Sequence, residues 1–173
     1  MPRKPLEQEA RTFFEKLSQK ETDVILSVLS DISSYVGANA VYVEKRLECC
    51  VAAVGGVFRG EKEDIDLAVI SFPWFQIPEE DFYDHAQQYC EILIRDLNAT
   101  GYRAESLGGR RTQPFRAYSH MFEINGTKVD IKFIPGLSIA EWEEKQEKFS
   151  QEKNYPYSIL RRIQSLPFGE DSK

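Results

Sequence analysis

The stretch Val54–Gly60 (VGGVFRG), followed closely by Asp64–Ile70 (DIDLAVI), decides the fold predicted for this chain. Two adjacent glycines let the backbone turn sharply and approach a ligand, because no Cβ stands in the way. Side chains alternate along a strand, so Asp64 and Asp66 point to one face while their apolar neighbours point into a core. Paired carboxylates beside a glycine turn suit metal-assisted phosphoryl chemistry, because the carboxylates bind a divalent cation and the glycine backbone binds phosphate.

A third carboxylate, Asp130, lies in a predicted hairpin over residues 117–134. Its centre, Asn125-Gly126, is the preferred two-residue type I′ turn, and this turn would put Met121 opposite Asp130. The apolar residues of the second strand then share one face, and Asp130 lies on the other. If Asp64 and Asp66 lie on the neighbouring strand, the same parity puts all three aspartates on one surface of the sheet.

These segments resemble the nucleotidyltransferase superfamily, which includes DNA polymerase beta, CCA-adding enzymes, poly(A) polymerases, antibiotic nucleotidyltransferases and minimal nucleotidyltransferases. Its signature is a glycine pair, Asp-x-Asp between hydrophobic residues and a third carboxylate on a later strand, and the three parts occur in that order over residues 51–135. The runs 55–60 and 129–135 are closest to the polymerase-beta-like branch. The resemblance implies an α+β (α/β) fold with a mixed, largely antiparallel sheet, helices on one face and additional N-terminal helices.

The resemblance also implies roles for individual residues. Asp64, Asp66 and Asp130 would be the catalytic and metal-binding residues, with Mg²⁺ or Mn²⁺ as the cofactor. Asp64 and Asp66 would bind both ions of a pair, and Asp130 would serve the ion on the nucleophile side and act as the base. The candidate nucleotide-binding residues are Gly55, Gly56, Arg59, Lys62, Arg110 and Arg111.

Several of these charged side chains also fit a purely structural role. We place Arg110 and Arg111 on a loop opened by two glycines, where solvated loop charges are favoured as much as a site role. For Lys128 and Lys132, balancing the nearby carboxylates is favoured over contact with a substrate. An acidic strand end that only keeps a sheet edge soluble is the structural alternative for the aspartates.

The function implied is that of an enzyme, a nucleotidyltransferase that moves a nucleoside monophosphate from an NTP to an acceptor hydroxyl. ATP is the favoured donor, and the acceptor would be a small molecule, a protein side chain or an RNA end. Two alternatives stay open. One is a non-catalytic nucleotide-binding or antitoxin-like interaction module with a protein partner. The other is a small DNA or RNA polymerase.

Composition narrows the class of partner. The chain has 173 residues, 28 acidic and 22 basic, for a net charge of −6. An acidic protein is a poor binder of long DNA, which is held through its phosphates. No apolar run approaches the roughly 18 residues of a membrane span, and no signal peptide is evident, so a cytoplasmic protein without a membrane role is expected. The three cysteines are expected to be free buried thiols.

A single domain is expected, with a helical N-terminal region (1–49), a catalytic core (50–135) and C-terminal helices (136–173). A strand is expected over residues 102–107. Periodicity and capping residues predict four helices, of which the last is short. They run from Thr22 or Asp23 to Gly37, from Pro78 to about Asn98, from a Ser138–Glu141 capping box to about Phe149, and from Pro156 to Leu166.

Overall fold

A computed structural model describes residues 12–40, 47–55, 58, 63–70, 79–112, 117–134, 138–153 and 156–165. These residues include three long helices and one six-stranded sheet with the strand order β3-β4-β5-β2-β1-β6. The elements, in chain order, are α1 (Gln19–Ala40), β1 (Leu47–Val54), β2 (Ile65–Ile70), α2 (Glu79–Ala99), β3 (Ala104–Thr112), β4 (Ala117–Ile124), β5 (Thr127–Ile134), α3 (Ile139–Lys153) and β6 (Tyr157–Ser165).

The sheet is mixed and mostly antiparallel, as predicted. Strands β2 and β5 are parallel, and the other four neighbouring pairs are antiparallel. Parallel neighbours need a crossover, and here the chain between β2 and β5 contains α2, β3 and β4. The fold is therefore α+β, and the single parallel pair joins the two strands that carry the candidate aspartates.

The predicted hairpin is confirmed with its register. Asn125 and Gly126 have φ angles of +51° and +84°, the left-handed conformations that a type I′ turn requires. Met121 lies opposite Asp130, and Ile124 lies opposite Thr127. The turn is also tied to the segment before β3, because the Asn125 side chain accepts a hydrogen bond from the backbone amide of Arg103. The turn residues and the register that they set therefore determine which face of β5 carries the aspartate.

The two faces of the sheet differ in composition and cover. The back face, which bears Ile65, Leu67 and Val69, is buried under α1 and α2 in the larger apolar cluster. The front face bears Asp66 and Asp130 at its centre. The expected helical cover on one face is confirmed for α1 and α2. The third helix, α3, lies on the front face.

Helix α3 packs on part of the front face. Trp142, only 2 % exposed, and Ile139 contact a smaller apolar cluster on that face. The sheet residues of this cluster include Ala52, Ile70 and Ile134. At this end of the sheet β2 and β5 carry apolar residues on both faces, so this half of the front face belongs to the core. The other half of the front face is polar. The polar half is where the aspartates lie.

Two helix starts follow capping boxes. The box predicted for α3 is confirmed, since Ser138 and Glu141 exchange side-chain-to-backbone hydrogen bonds of 2.9 and 3.1 Å. The cap predicted for α1 was wrong: the helix begins one turn earlier, where Ser18 and Glu21 form the same reciprocal pair. Gly37 lies inside α1 rather than ending it, because the helix continues to Ala40.

Helix α2 and the cysteines agree with the sequence prediction. The helix covers Glu79–Ala99 and ends before Gly101, whose φ of +99° stops the helical path. All three cysteines are buried and free. Among the described residues, no helix is both long enough and apolar enough to pass through a membrane.

The loop predicted at residues 108–111 was wrong, since β3 runs through it to Thr112. A β-bulge between Ser106 and Gly108 accommodates the glycine at φ +114° within the strand. Gly109 lies directly under the Tyr118 hydroxyl, where any Cβ would clash. The glycines therefore serve strand curvature and close packing, and Arg110 and Arg111 lie on a strand.

The last predicted helix was also wrong, because residues 157–165 form the edge strand β6 against β1. Its register shifts at Val51/Ala52, so that Leu160 is an extra residue between the partners of those two positions. The spacing of Ile159, Leu160 and Ile163 fits a helix as well as a bulged strand. The strand is favoured because it pairs with the backbone N–H and C=O groups at the edge of β1, which a helix would leave unpaired.

Candidate metal and nucleotide site

Three carboxylates meet at the centre of the front face. Asp66 on β2 and Asp130 on β5 are direct partners in the parallel register, and Asp64 immediately precedes β2. One ligand oxygen from each lies within 4.8 Å of the other two. We call these residues the aspartate triad. The predicted gathering of the three side chains on one surface is confirmed.

The electrostatics of the triad are those of a crowded acidic cluster. Burial, and then the charges of Asp64 and Asp130, raise the pKa of Asp66 to about 7. Burial likewise raises the pKa of Asp130, which the guanidinium of Arg110 lowers in part. Lys132 also favours the charged forms of Asp66 and Asp130. The pKa values of the Asp66 and Asp130 carboxyls are therefore held above the usual range, and a bound cation would favour their charged forms.

One oxygen of the triad has no partner of its own. Asp130 Oδ1 is buried and makes no hydrogen bond among the described residues, while Oδ2 lies 3.8 Å from Nη2 of Arg110. A buried acceptor without a donor costs about 1–3 kcal/mol. Carboxylate oxygens are the ligands that Mg²⁺ and Mn²⁺ prefer, and three of them within reach of one another fit such an ion.

The triad lines a cleft of about 730 Å³ between the front face and α3. This volume is in the range of small-molecule sites. The cleft residues of α3 were missed from the sequence: Trp142, Lys145, Gln146, Lys148, Phe149 and Glu152. Their spacing of three and four residues indicated one helix face, but nothing in that pattern told which surface the helix would cover.

The two candidate arginines on β3 lie on opposite faces. Arg110 lines the cleft beside Asp130 and is 63 % exposed. The guanidinium of Arg111 lies over the ring of Tyr83 on α2, 4.0 Å from its centroid. Successive strand residues point to opposite sides, so both arginines cannot reach the triad together. The structure brings Arg110 to the site and takes Arg111 to the back face.

The glycine pair is described in part. Gly55 has φ +88° and donates its amide to the Pro156 carbonyl at 2.9 Å, which anchors the turn to the start of β6. Gly56, Arg59 and Lys62 lie outside the described residues. The predicted contacts of these four residues with a nucleotide stay predictions.

Comparison of the sequence with protein-family models found no matching family, and comparisons with curated proteins and with solved structures found no significant match. The case for a function therefore rests on the residues of the cleft. What they show directly is a three-carboxylate group able to hold a metal ion.

Proposed function

We propose that this protein is a Mg²⁺- or Mn²⁺-dependent nucleotidyltransferase that transfers a nucleoside monophosphate from an NTP to an acceptor hydroxyl. The observation that carries the proposal is the aspartate triad, whose oxygens converge within 4.8 Å in a nucleotide-sized cleft. The likeness of the glycine pair and the Asp-x-Asp segment to nucleotidyltransferases supports the same chemistry. The cation held by the triad would neutralise the phosphates and polarise the reacting phosphoryl group.

In the proposed reaction the acceptor oxygen bonds to the α-phosphorus as the bond from that phosphorus to the pyrophosphate oxygen breaks. Asp130 accepts the proton that the hydroxyl loses, and pyrophosphate leaves with the bonding electrons. Lys132 and Arg110 line the cleft beside the triad and offset part of the negative charge brought together there. Positioning and electrostatic stabilisation of this kind account for most of the catalysis of phosphoryl transfer.

The test is incubation with each NTP and Mg²⁺ or Mn²⁺, following pyrophosphate release and transfer of an α-phosphate label. Asp66→Asn should lower the rate roughly a hundredfold or more, because a charged ligand and its support of the cation are lost. Asp31→Asn is the matched control, since this carboxyl on α1 also has a pKa of about 7 and lies away from the cleft. Wild-type activity in Asp66→Asn would contradict the proposal, and binding of NTP with the cation but without pyrophosphate release would indicate a non-catalytic nucleotide-binding module.

The acceptor we favour is a small molecule, a protein side chain or an RNA end. A polymerase must hold a long polyanion through many Lys and Arg contacts, and this chain has a net charge of −6. We expect transfer of a single nucleotide and no processive primer extension at near-physiological salt. Robust extension of a primed duplex would make the polymerase the better assignment.

A further inference from the structure

Helix α3 forms the wall of the cleft that faces the aspartate triad. Trp142 fixes its position, because the indole is buried in the front-face cluster and packs edge-on against Tyr157 at 5.4 Å between ring centroids. One helical turn later, Lys145 and Gln146 line the cleft, and Lys148 and Phe149 follow at the next turn. The helix thus presents donors, an aromatic ring and, one turn further, the carboxylate of Glu152 to a floor of carboxylates.

Among the described residues, this wall has one buried donor without a partner, just as the triad has one buried acceptor without a partner. Gln146 Nε2 is buried and has no hydrogen-bond partner among the described residues. Lys145 and Lys148 add two ammonium groups at the exposed rim of the same wall. Because an unsatisfied buried donor costs free energy, the arrangement favours a ligand that brings acceptor oxygens to it. Phosphate oxygens meet that requirement and also match the two positive charges.

Phe149 gives the wall a flat apolar surface. It is 43 % exposed, and of the three large apolar side chains that are exposed among the described residues it is the one that lines the cleft. A purine or pyrimidine base stacked on such a ring gains about 1–3 kcal/mol whichever base it is. An aromatic ring four residues after Lys145 lies one turn further along the same helix face.

We propose, building on the function proposed above, that the nucleotide binds along α3, with its polyphosphate on Lys145, Lys148 and the Gln146 amide and its base stacked on Phe149. The acceptor then approaches over the part of the front face formed by β3 and β4, where Arg110 stands beside Asp130. Stacking recognises the flat face of a base and not its edge, so ATP and GTP should bind within about tenfold of each other.

The test measures equilibrium binding of Mg²⁺–ATP and of Mg²⁺–tripolyphosphate, which carries the phosphates without the base. The double variant Lys145→Gln/Lys148→Gln should weaken both ligands about tenfold or more, because it removes two charge-assisted contacts. Phe149→Ala should weaken ATP about 5- to 100-fold and leave tripolyphosphate unchanged. Lys153→Gln is the matched control, since Lys153 is exposed on the same helix and does not line the cleft.

The outcomes separate this proposal from the enzymatic one. If the wild-type protein releases pyrophosphate while the α3 variants bind both ligands as tightly as Lys153→Gln does, the nucleotide does not lie on α3 and the transferase assignment stands. If no pyrophosphate is released but the double variant still loses tripolyphosphate, the α3 site stands and the transferase assignment falls. Absence of binding of either ligand to the wild-type protein overturns the α3 site outright.

Discussion

Two groups of carboxylates in this molecule each contain one aspartate with a raised pKa, and the two groups have different surroundings. Burial raises the pKa of Asp66 in the triad to about 7, and burial also raises the pKa of Asp31 on α1 to about 7. Asp31 Oδ2 accepts a hydrogen bond from the Tyr89 hydroxyl at 2.8 Å, and the neighbouring carboxyl of Asp96 on α2 contributes to the raised pKa of Asp31. We call the second group the Asp31–Asp96 pair.

The two groups differ in how their oxygens are satisfied. In the Asp31–Asp96 pair the hydroxyl and the second carboxyl come from α2, so the cluster ties two helices together. In the triad, Asp130 Oδ1 is buried without a hydrogen-bond partner among the described residues, and its side chain lines a cleft. A raised carboxyl pKa alone therefore does not mark a ligand site. An unsatisfied buried oxygen at a cleft is the more specific sign.

The largest difference between the two groups should appear on adding Mn²⁺. At about 100 times its Kd a ligand stabilises the folded state by about 2.7 kcal/mol, which for a chain of this size raises Tm by about 5–10 °C. Differential scanning calorimetry should show this shift in the wild-type protein and in Asp31→Asn. It should be largely absent in Asp66→Asn. An equal shift in all three would place the ion outside the triad.

A smaller difference should appear in the pH dependence of stability. Between pH 4 and 7 the folded protein keeps protons on Asp31 and Asp66 that the unfolded chain has released, because both folded-state pKa values are raised to about 7. The stabilisation is complete below the unfolded pKa and is lost as pH rises toward 7. Relative to wild type, Asp31→Asn should therefore gain about 1–2 kcal/mol in free energy of unfolding from pH 4 to 8, a value reduced for partial exposure.

Saturating Mg²⁺ sharpens this second comparison. At pH 8 without a cation, Asp66→Asn should also have a higher free energy of unfolding than wild type, because the raised pKa of Asp66 costs the wild-type protein stability there. Saturating Mg²⁺ should remove this difference, because it compensates the charges of the triad. The advantage of Asp31→Asn should persist, since the Asp31–Asp96 pair is elsewhere. Urea unfolding curves at pH 4 and pH 8, with and without Mg²⁺, measure the difference in free energy of unfolding between each variant and wild type. A cation effect on the Asp31→Asn difference would show that the two groups are coupled.

The smallest effect concerns Arg110, the basic neighbour of the triad. Its guanidinium is 63 % exposed and 3.8 Å from Asp130, so Arg110→Gln should change the free energy of unfolding by less than about 1 kcal/mol. Removing a positive charge beside the triad should tighten Mn²⁺ binding about 2- to 5-fold. Arg111→Gln is the control, since Arg111 contacts Tyr83 on the back face. Calorimetric titration with Mn²⁺ distinguishes them, and equal affinities would indicate that Arg110 does not affect the ion.

The triad was predictable because all but one of its requirements are local. Asn125-Gly126 sets the turn, the turn sets the register of β5, and alternation then puts Asp130 on the face opposite its apolar neighbours. The same alternation acts on Asp66 in β2. Only the pairing of β2 with β5 is non-local; it was an assumption rather than a prediction from the sequence, and the structure shows it.

The other wall of the cleft was not predictable by the same means. The charged helix α3 has few apolar residues, and its own pattern does not tell whether Trp142 packs on the front or the back of the sheet. Likewise, the sequence predicts a helix in place of β6, because the apolar spacing fits both structures. The strand β1 with which β6 pairs lies more than a hundred residues earlier in the chain. Both errors concern surfaces that exist only after the sheet has assembled.

The parallel contact between β2 and β5 also bears on the order of folding events. The β4–β5 hairpin closes a two-residue loop and can form within microseconds, whereas Asp66 and Asp130 are about 60 residues apart in sequence. Loop-closure entropy makes such a long-range pairing slow relative to local structure. A cation that needs both strands finds its ligands only after the rate-limiting assembly. The bound cation should therefore slow unfolding and lengthen the lifetime of the native state, without changing the rate of folding.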